Sequence, residues 1–284
     1  MSSQLDWQSD DSHGRWLRRE LDRAAAKADA ELDGEPVWGW RQRSVGARVR
    51  TPNGPSWLRV VSEDQRWAHG DFWTGNVDAA SISGVAKPRV LDHWEWTDGS
   101  SRLRAELMTL APGRPCSVTP EIRQTFELPD GWWQQLRESL AAIQKQPERT
   151  RVHLTQDTIT RRAAVFFGDR VDPTITNWAP AHTDLHWANL LAPECVLVDW
   201  EGWGIAPAGF DAATLHVYSL LQPGMAAKVE AELGDQLSTR DSLLSQLYVT
   251  GRLLLRIESG DFPDLVLPLH HNADRVIERL SLNR

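Results

Sequence analysis

The hydrophobic positions of this chain change their period from one end to the other. After Ser12, Leu17, Leu21, Ala24, Ala28 and Leu32 recur at helical spacing and predict an amphipathic helix over 13–32, ended by Gly34. Three short strands are expected next, over 37–45, 47–50 and 56–61, with Pro52-Asn53-Gly54-Pro55 as the turn between the second and third. Segments 87–91 and 103–110 read as two further strands, the latter running into Ala111-Pro112-Gly113. From Pro129 the period returns to helical, and Trp132, Trp133, Leu136, Leu140 and Ile143 fall on one face. Helices are expected over 211–221, 225–237, 240–258 and 263–280, with Leu243, Leu247, Leu254 and Leu255 as the apolar face of the third. Strands first and helices later predict an α+β chain with a sheet-bearing N-terminal part and a mostly helical C-terminal part.

One stretch between these regions carries candidate chemistry. His182-Thr183-Asp184-Leu185-His186-Trp187-Ala188-Asn189 is followed, after the apolar run 190–198, by Asp199-Trp200-Glu201. The run reads as two short strands around a Pro193-Glu194 turn, which would return Asp199 to the edge that holds Asn189. A carboxylate, a carboxamide and a second carboxylate so placed suit Mg²⁺-dependent phosphoryl transfer. That chemistry needs one group to orient the attacking hydroxyl and two to hold the metal on the nucleotide phosphates. A rival reading takes His182, Asp184 and His186 as alternating strand residues in a metallohydrolase cluster, although a zinc site usually takes further His or Cys ligands.

The stretch resembles the catalytic segment of the aminoglycoside phosphotransferase and choline kinase-like family, whose pattern is His-x-Asp-x-x-x-x-Asn with an Asp at the next strand end. The resemblance is sharp over 181–215 and topological elsewhere. It implies a bilobal protein-kinase-like fold: a small N-lobe over 1–112 with a leading helix, an antiparallel sheet and a hinge, and a larger, mostly helical C-lobe over 113–284. It implies Asp184 as catalytic base and Asn189 and Asp199 as Mg²⁺ ligands, with ATP or GTP as phosphoryl donor. Asp211, in Gly209-Phe210-Asp211, matches a further family Asp at the start of the following helix. His182, Glu201 and Asp211 would support the site, the last two at the lip and base of the acceptor pocket, and His186 reads as structural or substrate-facing. Ser44-Val45-Gly46 would lie in the nucleotide-covering loop, and Met108 and Leu110 in the hinge that meets the adenine.

One position departs from the pattern. Kinases of this fold carry a Lys on the third strand, paired with a Glu on the next helix. Here Arg59 occupies that strand position, and 66–82 holds no Glu, leaving Asp78, or failing it Asp71, as the acidic partner. Arg keeps the charge but not the geometry of Lys. The alternative is therefore a nucleotide-binding pseudokinase acting as a partner protein.

Composition narrows the classes. The 284 residues carry a formal charge of −8, which argues against nucleic acid as a main partner and is compatible with a small cationic hydroxyl compound as acceptor. No run approaches the roughly 18 apolar residues of a membrane span, and residues 1–12 lack the apolar core of a signal peptide. Two cysteines far apart in sequence, Cys116 and Cys195, point to a reduced, cytoplasmic protein. Of the 15 tryptophans, most read as core, while Trp187, Trp200 and Trp203 stand near enough to the motif to wall a pocket.

Overall fold

The computed structural model describes residues 12–146 and 152–282; the polar stretch ahead of Ser12 lies outside them. The chain divides into two compact units. One runs up to Ala80 and resumes over Pro88–Ala111, and the other takes Ser81–Lys87 and everything from Pro112 onward.

In the first unit, helix α1 (Ser12–Lys27) lies on a sheet built from β1 (Glu31–Leu32), β2 (Val37–Trp38), β3 (Ser44–Thr51), β4 (Gly54–Asp64), β5 (Val90–Asp98) and β6 (Ser101–Thr109). The sheet order is β1-β3-β4-β6-β5, with β2 also pairing β3, and every pairing is antiparallel. Alternation along the strands sends Val45, Ala47, Val49, Leu58, Val60, Leu103 and Ala105 to one buried cluster with Leu17, Leu21, Ala24 and Ala25 of α1. Burying each of the two leucines contributes about 1.5–3 kcal/mol. Helix α1 stops short of the expected 32, because Leu32 belongs to β1 and pairs with Val49. Its spacing continued the helical period without continuing the helix.

The other face of the sheet holds the charged positions. Helix α2 (Gly70–Asp78) follows β4, and its Trp73 packs with Val61 and Ala68. The 52–55 turn is present between β3 and β4, but no break occurs at Gly46. That residue lies inside β3 opposite Arg59. A Cβ there would meet the Trp57 ring at 2.8 Å, so the glycine makes room for an indole and not for a turn. The strand expected over 87–91 is likewise displaced: β5 begins at Val90 and carries Trp94 and Trp96.

The second unit contains β7 (Arg114–Pro115), α3 (Asp130–Gln144), α4 (Gln156–Phe167), β8 (Trp178–Ala181), β9 (Leu191–Ala192), β10 (Gly204–Pro207), α5 (Phe210–Tyr218), α6 (Pro223–Leu237), α7 (Arg240–Glu258) and α8 (Val266–Leu282). Thr155 and Thr239 cap α4 and α7 by accepting from Thr158 N and Ser242 N. Every residue of α5 is buried. On α7 the inward face is carried by Leu243, Leu247 and Leu253, whereas Leu255, expected inside, is exposed.

Tryptophan dominates this core. Trp132, Trp133 and Trp187 pack edge-on and stacked at centroid distances of 5.0–6.4 Å, with Phe126 edge-on to Trp187. Cys116 and Cys195, distant in sequence, come close enough for one to influence the other, and burial pushes both thiols up to about 12. Both are free. No helix among the described residues is long and apolar enough to cross a membrane.

Candidate active site

Strands β8 and β10 pair antiparallel, Ala181 opposite Gly204, and the whole of 182–203 loops between them. The motif therefore leaves one strand end and returns to its neighbour. Two of its residues adopt left-handed backbone, Thr183 at φ +71° and Asp199 at φ +64°. For a β-branched residue this conformation is a true outlier, held only where surrounding contacts over-determine it.

Those contacts come from below. Asp211, in the first turn of α5, is buried, and its two oxygens accept from His182 N and Thr183 N, each at 2.8 Å. Thr183 Oγ1 donates to Gly202 O at 2.8 Å and ties the outgoing loop to the returning one. Burial raises the Asp211 carboxyl to about 6, against the lowering effect of its two backbone donors. With both oxygens on backbone, Asp211 supports the loop.

His182 makes the second tie. Its ring is fully buried, edge-on to Trp200 at 4.6 Å, and Nε2 donates to Val198 O at 3.0 Å. Burial lowers its pKa to about 4, so it is a neutral strut. Among the described residues no group of three or more His, Cys, Asp or Glu is gathered as a metal cluster.

The backbone around Asn189 and Val198, next to Asp199, is joined across the hairpin. Val198 N donates to Asn189 O at 3.0 Å, Leu191 N donates to Val196 O at 3.0 Å, and Leu190 and Leu197 form a bridge. The hairpin is shorter than expected, since only Leu191–Ala192 counts as strand and pairs with β7. Gly113 permits that pairing, because a Cβ there would lie 2.2 Å from Ala192 O. The Asn189 amide donates from Nδ2 to Asp184 O at 3.0 Å, which turns Oδ1 away as its remaining ligand atom. The Asn189 and Asp199 side chains both offer oxygen donors, the chemistry that suits a hard cation such as Mg²⁺.

Asp184 itself is 43% exposed in its side chain. Its Oδ2 lies 3.4 Å from His186 Nε2 and its Oδ1 lies 3.7 Å from an Arg252 nitrogen on α7. Burial pushes the carboxyl up, but His186 and Arg252 outweigh it and hold the group well below the usual carboxylate range. Arg252 was not foreseen. Glu201 lies in the turn just after Asp199, half-buried. Trp187, Trp200 and Trp203 are all core residues, so they do not wall a pocket.

In the sheet unit, Arg59 Nη1 reaches Glu106 Oε2 at 3.4 Å, directly across the β4–β6 register. Glu106 also accepts from Asn76 Nδ2 of α2 at 2.8 Å and lies 3.8 Å from Arg104 Nε. Glu106 is a partner that the sequence reading did not name. Asp71 lies in the first turn of α2 and Asp78 closes the helix, where it accepts from Thr74 Oγ1 at 2.5 Å. Ser44 begins β3, and the turn that precedes it is formed by 39–43, one step earlier than the loop expected around Gly46. Met108 is buried at the end of β6 and Leu110 is half-buried just past it.

No family model and no curated protein matches the chain. Solved structures do. Aminoglycoside phosphotransferase APH(4)-Ia aligns over 91% of this chain and 97% of its own, with a TM-score of 0.62 at 14% identity. The chain has a protein-kinase-like fold. Spectinomycin phosphotransferase APH(9)-Ia, in complex with ADP and spectinomycin, shares it over 93% of both chains at 11% identity, with a TM-score of 0.53. So does LicA, a choline kinase of Streptococcus pneumoniae, whose AMP complex aligns over 94% of this chain and 98% of its own at 12% identity, with a TM-score of 0.52. Within a protein-kinase-like fold, 182–203 is the loop that joins two strand ends over α5.

Proposed function

We propose that the chain is an ATP- or GTP-dependent phosphotransferase acting on a hydroxyl of a small molecule. The observation that carries this reading is the single hydrogen-bonded unit formed by Asp184, Asn189 and the 198–199 turn. In this reading the Asp184 carboxylate would work beside Asn189 and Asp199 as oxygen donors for a cation. Asp184 would orient the acceptor hydroxyl and take its proton as the oxygen bonds to the γ-phosphorus and the nucleoside diphosphate leaves. Asn189 and Asp199 would hold Mg²⁺, which supplies neutralisation of the phosphate charge when bound. Arg59, kept in place by Glu106, would grip the phosphates where kinases of this fold use Lys. The similar solved structures support the reading by their contents: two are phosphotransferases and one is a choline kinase.

A cationic acceptor is supported by Glu201 beside Asp199, whereas Arg252 beside Asp184 opposes it. The acceptor is best sought in a panel of aminoglycosides, sugars, amino alcohols and nucleosides, by release of nucleoside diphosphate. Asp184→Asn should lower turnover by about 10²–10⁴-fold and leave the nucleotide-dependent thermal shift in place. Turnover equal to wild type would exclude Asp184 as the base. The arginine at the lysine position favours one second reading, a nucleotide-binding pseudokinase: nucleotide-dependent stabilisation with no transfer to any acceptor would select it. The reducing, cytoplasmic setting expected from the sequence suits either reading.

A further inference from the structure

Arg252 stands out among the side chains around the site. It projects from α7, far downstream of the motif, and only about one-fifth of its side chain is exposed (21%). Its Nη2 lies 3.7 Å from Asp184 Oδ1, beyond hydrogen-bond reach, and both Nε and Nη2 are shut from solvent with no hydrogen-bond partner. Tyr218, from the end of α5, is hydrogen-bonded to the same guanidinium, which leaves Nε and Nη2 as its open donors, and packs edge-on to His186 at 5.4 Å. Asp184 is thus flanked on one oxygen by His186 and on the other by Arg252.

Leaving buried charged donors unmade is costly, and an arginine serving only the packing of α7 would be expected to have its fork filled. Hydrogen bonds at catalytic groups are often long before substrate arrives and tighten in the reactive complex. We infer that Arg252 is the positioning residue for Asp184. It closes onto Oδ1 as the acceptor binds and fixes the rotation of the carboxylate, so that one oxygen faces the acceptor hydroxyl. Arg252 touches no reacting atom in this scheme and acts through Asp184. The inference rests on the phosphotransferase reading.

Two double-substitution cycles test it on the full chain, with Asp184→Asn and Arg252→Met alone and combined. In a steady-state transfer assay, Arg252→Met should lower kcat about 10–100-fold and leave the nucleotide KM unchanged. Arg252→Lys should recover part of the loss. In the Asp184→Asn background, Arg252→Met should add less than about a two-fold further loss, because residues that act as a unit are not additive. An equal loss in both backgrounds, or a loss confined to nucleotide KM, would overturn the inference. The second cycle reads urea midpoints and needs no catalysis. Arg252→Met should move the midpoint differently with Asp and with Asn at 184. Where Arg252→Met does not fold, Arg252→Lys serves both cycles. Equal midpoint shifts in the two backgrounds would overturn the Arg252–Asp184 assignment whatever the activity. Coupled midpoints with no transfer by the wild type to any acceptor would overturn the phosphotransferase reading, and the positioning role with it.

Discussion

The two units hold a buried carboxylate in opposite ways. In the sheet unit, Glu106 is 2% exposed and is surrounded by side chains: Arg59, Arg104 and Asn76. In the helical unit, Asp211 is 6% exposed and is bonded to backbone, the amides of His182 and Thr183. A side-chain network can exchange one cation for another, because the partners have rotamers to adjust. A backbone-bonded carboxylate has no such slack, since its donors are fixed by the loop that it shapes. The contrast predicts that the sheet network tolerates exchange of Arg59 for another cation, whereas the loop over Asp211 tolerates no change of its anchor.

Three measurements would break or sharpen this contrast. The largest effect is expected from Asp211→Ala, which strands two buried N–H groups at about 1–3 kcal/mol each and so costs about 2–6 kcal/mol in urea unfolding. A cost below about 1 kcal/mol would show that the loop does not depend on its backbone anchor.

The next concerns pH. His182, depressed to about 4 in the fold from its ordinary 6.5, stays neutral where the unfolded chain takes up a proton, so it makes stability rise as pH rises from 4 to 6.5. Asp211, raised to about 6 from 3.8, keeps a proton that the unfolded chain gives up, so it makes stability fall as pH rises from 3.8 to 6. Each effect amounts to about 3 kcal/mol, at about 1.4 kcal/mol per pKa unit, and over the shared window they nearly offset. Replacing His182 with Gln should unmask the Asp211 slope. Relative to wild type, the variant should lose stability steadily from pH 4 to 6, read as urea midpoints at several pH values, and parallel curves would refute the pairing.

The smallest effect tests the sheet network. Arg59→Ala should lower kcat/KM by about 10–100-fold, the loss of 1.5–3 kcal/mol in charge-assisted contact, while Arg59→Lys should stay within a few-fold of wild type. Should the two variants fall equally, the network does not tolerate exchange and the contrast fails.

The same contrast governs what the sequence could reveal. The motif was legible because its geometry is local: Asn189 and Asp199 are joined by a hairpin only a few residues long. Asp211 was legible as a position, but nothing in its own sequence says that it accepts from the backbone amides of His182 and Thr183. The sheet was harder, because its chemistry is written across strands. Gly46 resembled a loop glycine until Trp57, on the neighbouring strand, explained it. Glu106 could have been noticed from Leu103-Arg104-Ala105-Glu106-Leu107, where two charges interrupt an apolar strand, but only the register places it opposite Arg59. Arg252 left a fainter trace. Tyr248, Arg252 and Arg256 recur every four residues along this helix, a stripe with no stated addressee.

The left-handed Thr183 has a consequence for how this protein could be improved. Glycine or asparagine would adopt that backbone more cheaply than a β-branched residue, so a search rewarding heat resistance alone should be drawn to position 183 early. Such a change would surrender the hydroxyl that fastens Thr183 to Gly202, and with it the tie between the outgoing and returning halves of the loop. A thermostability library sorted without an activity screen would thus select against the feature that gives the loop its shape.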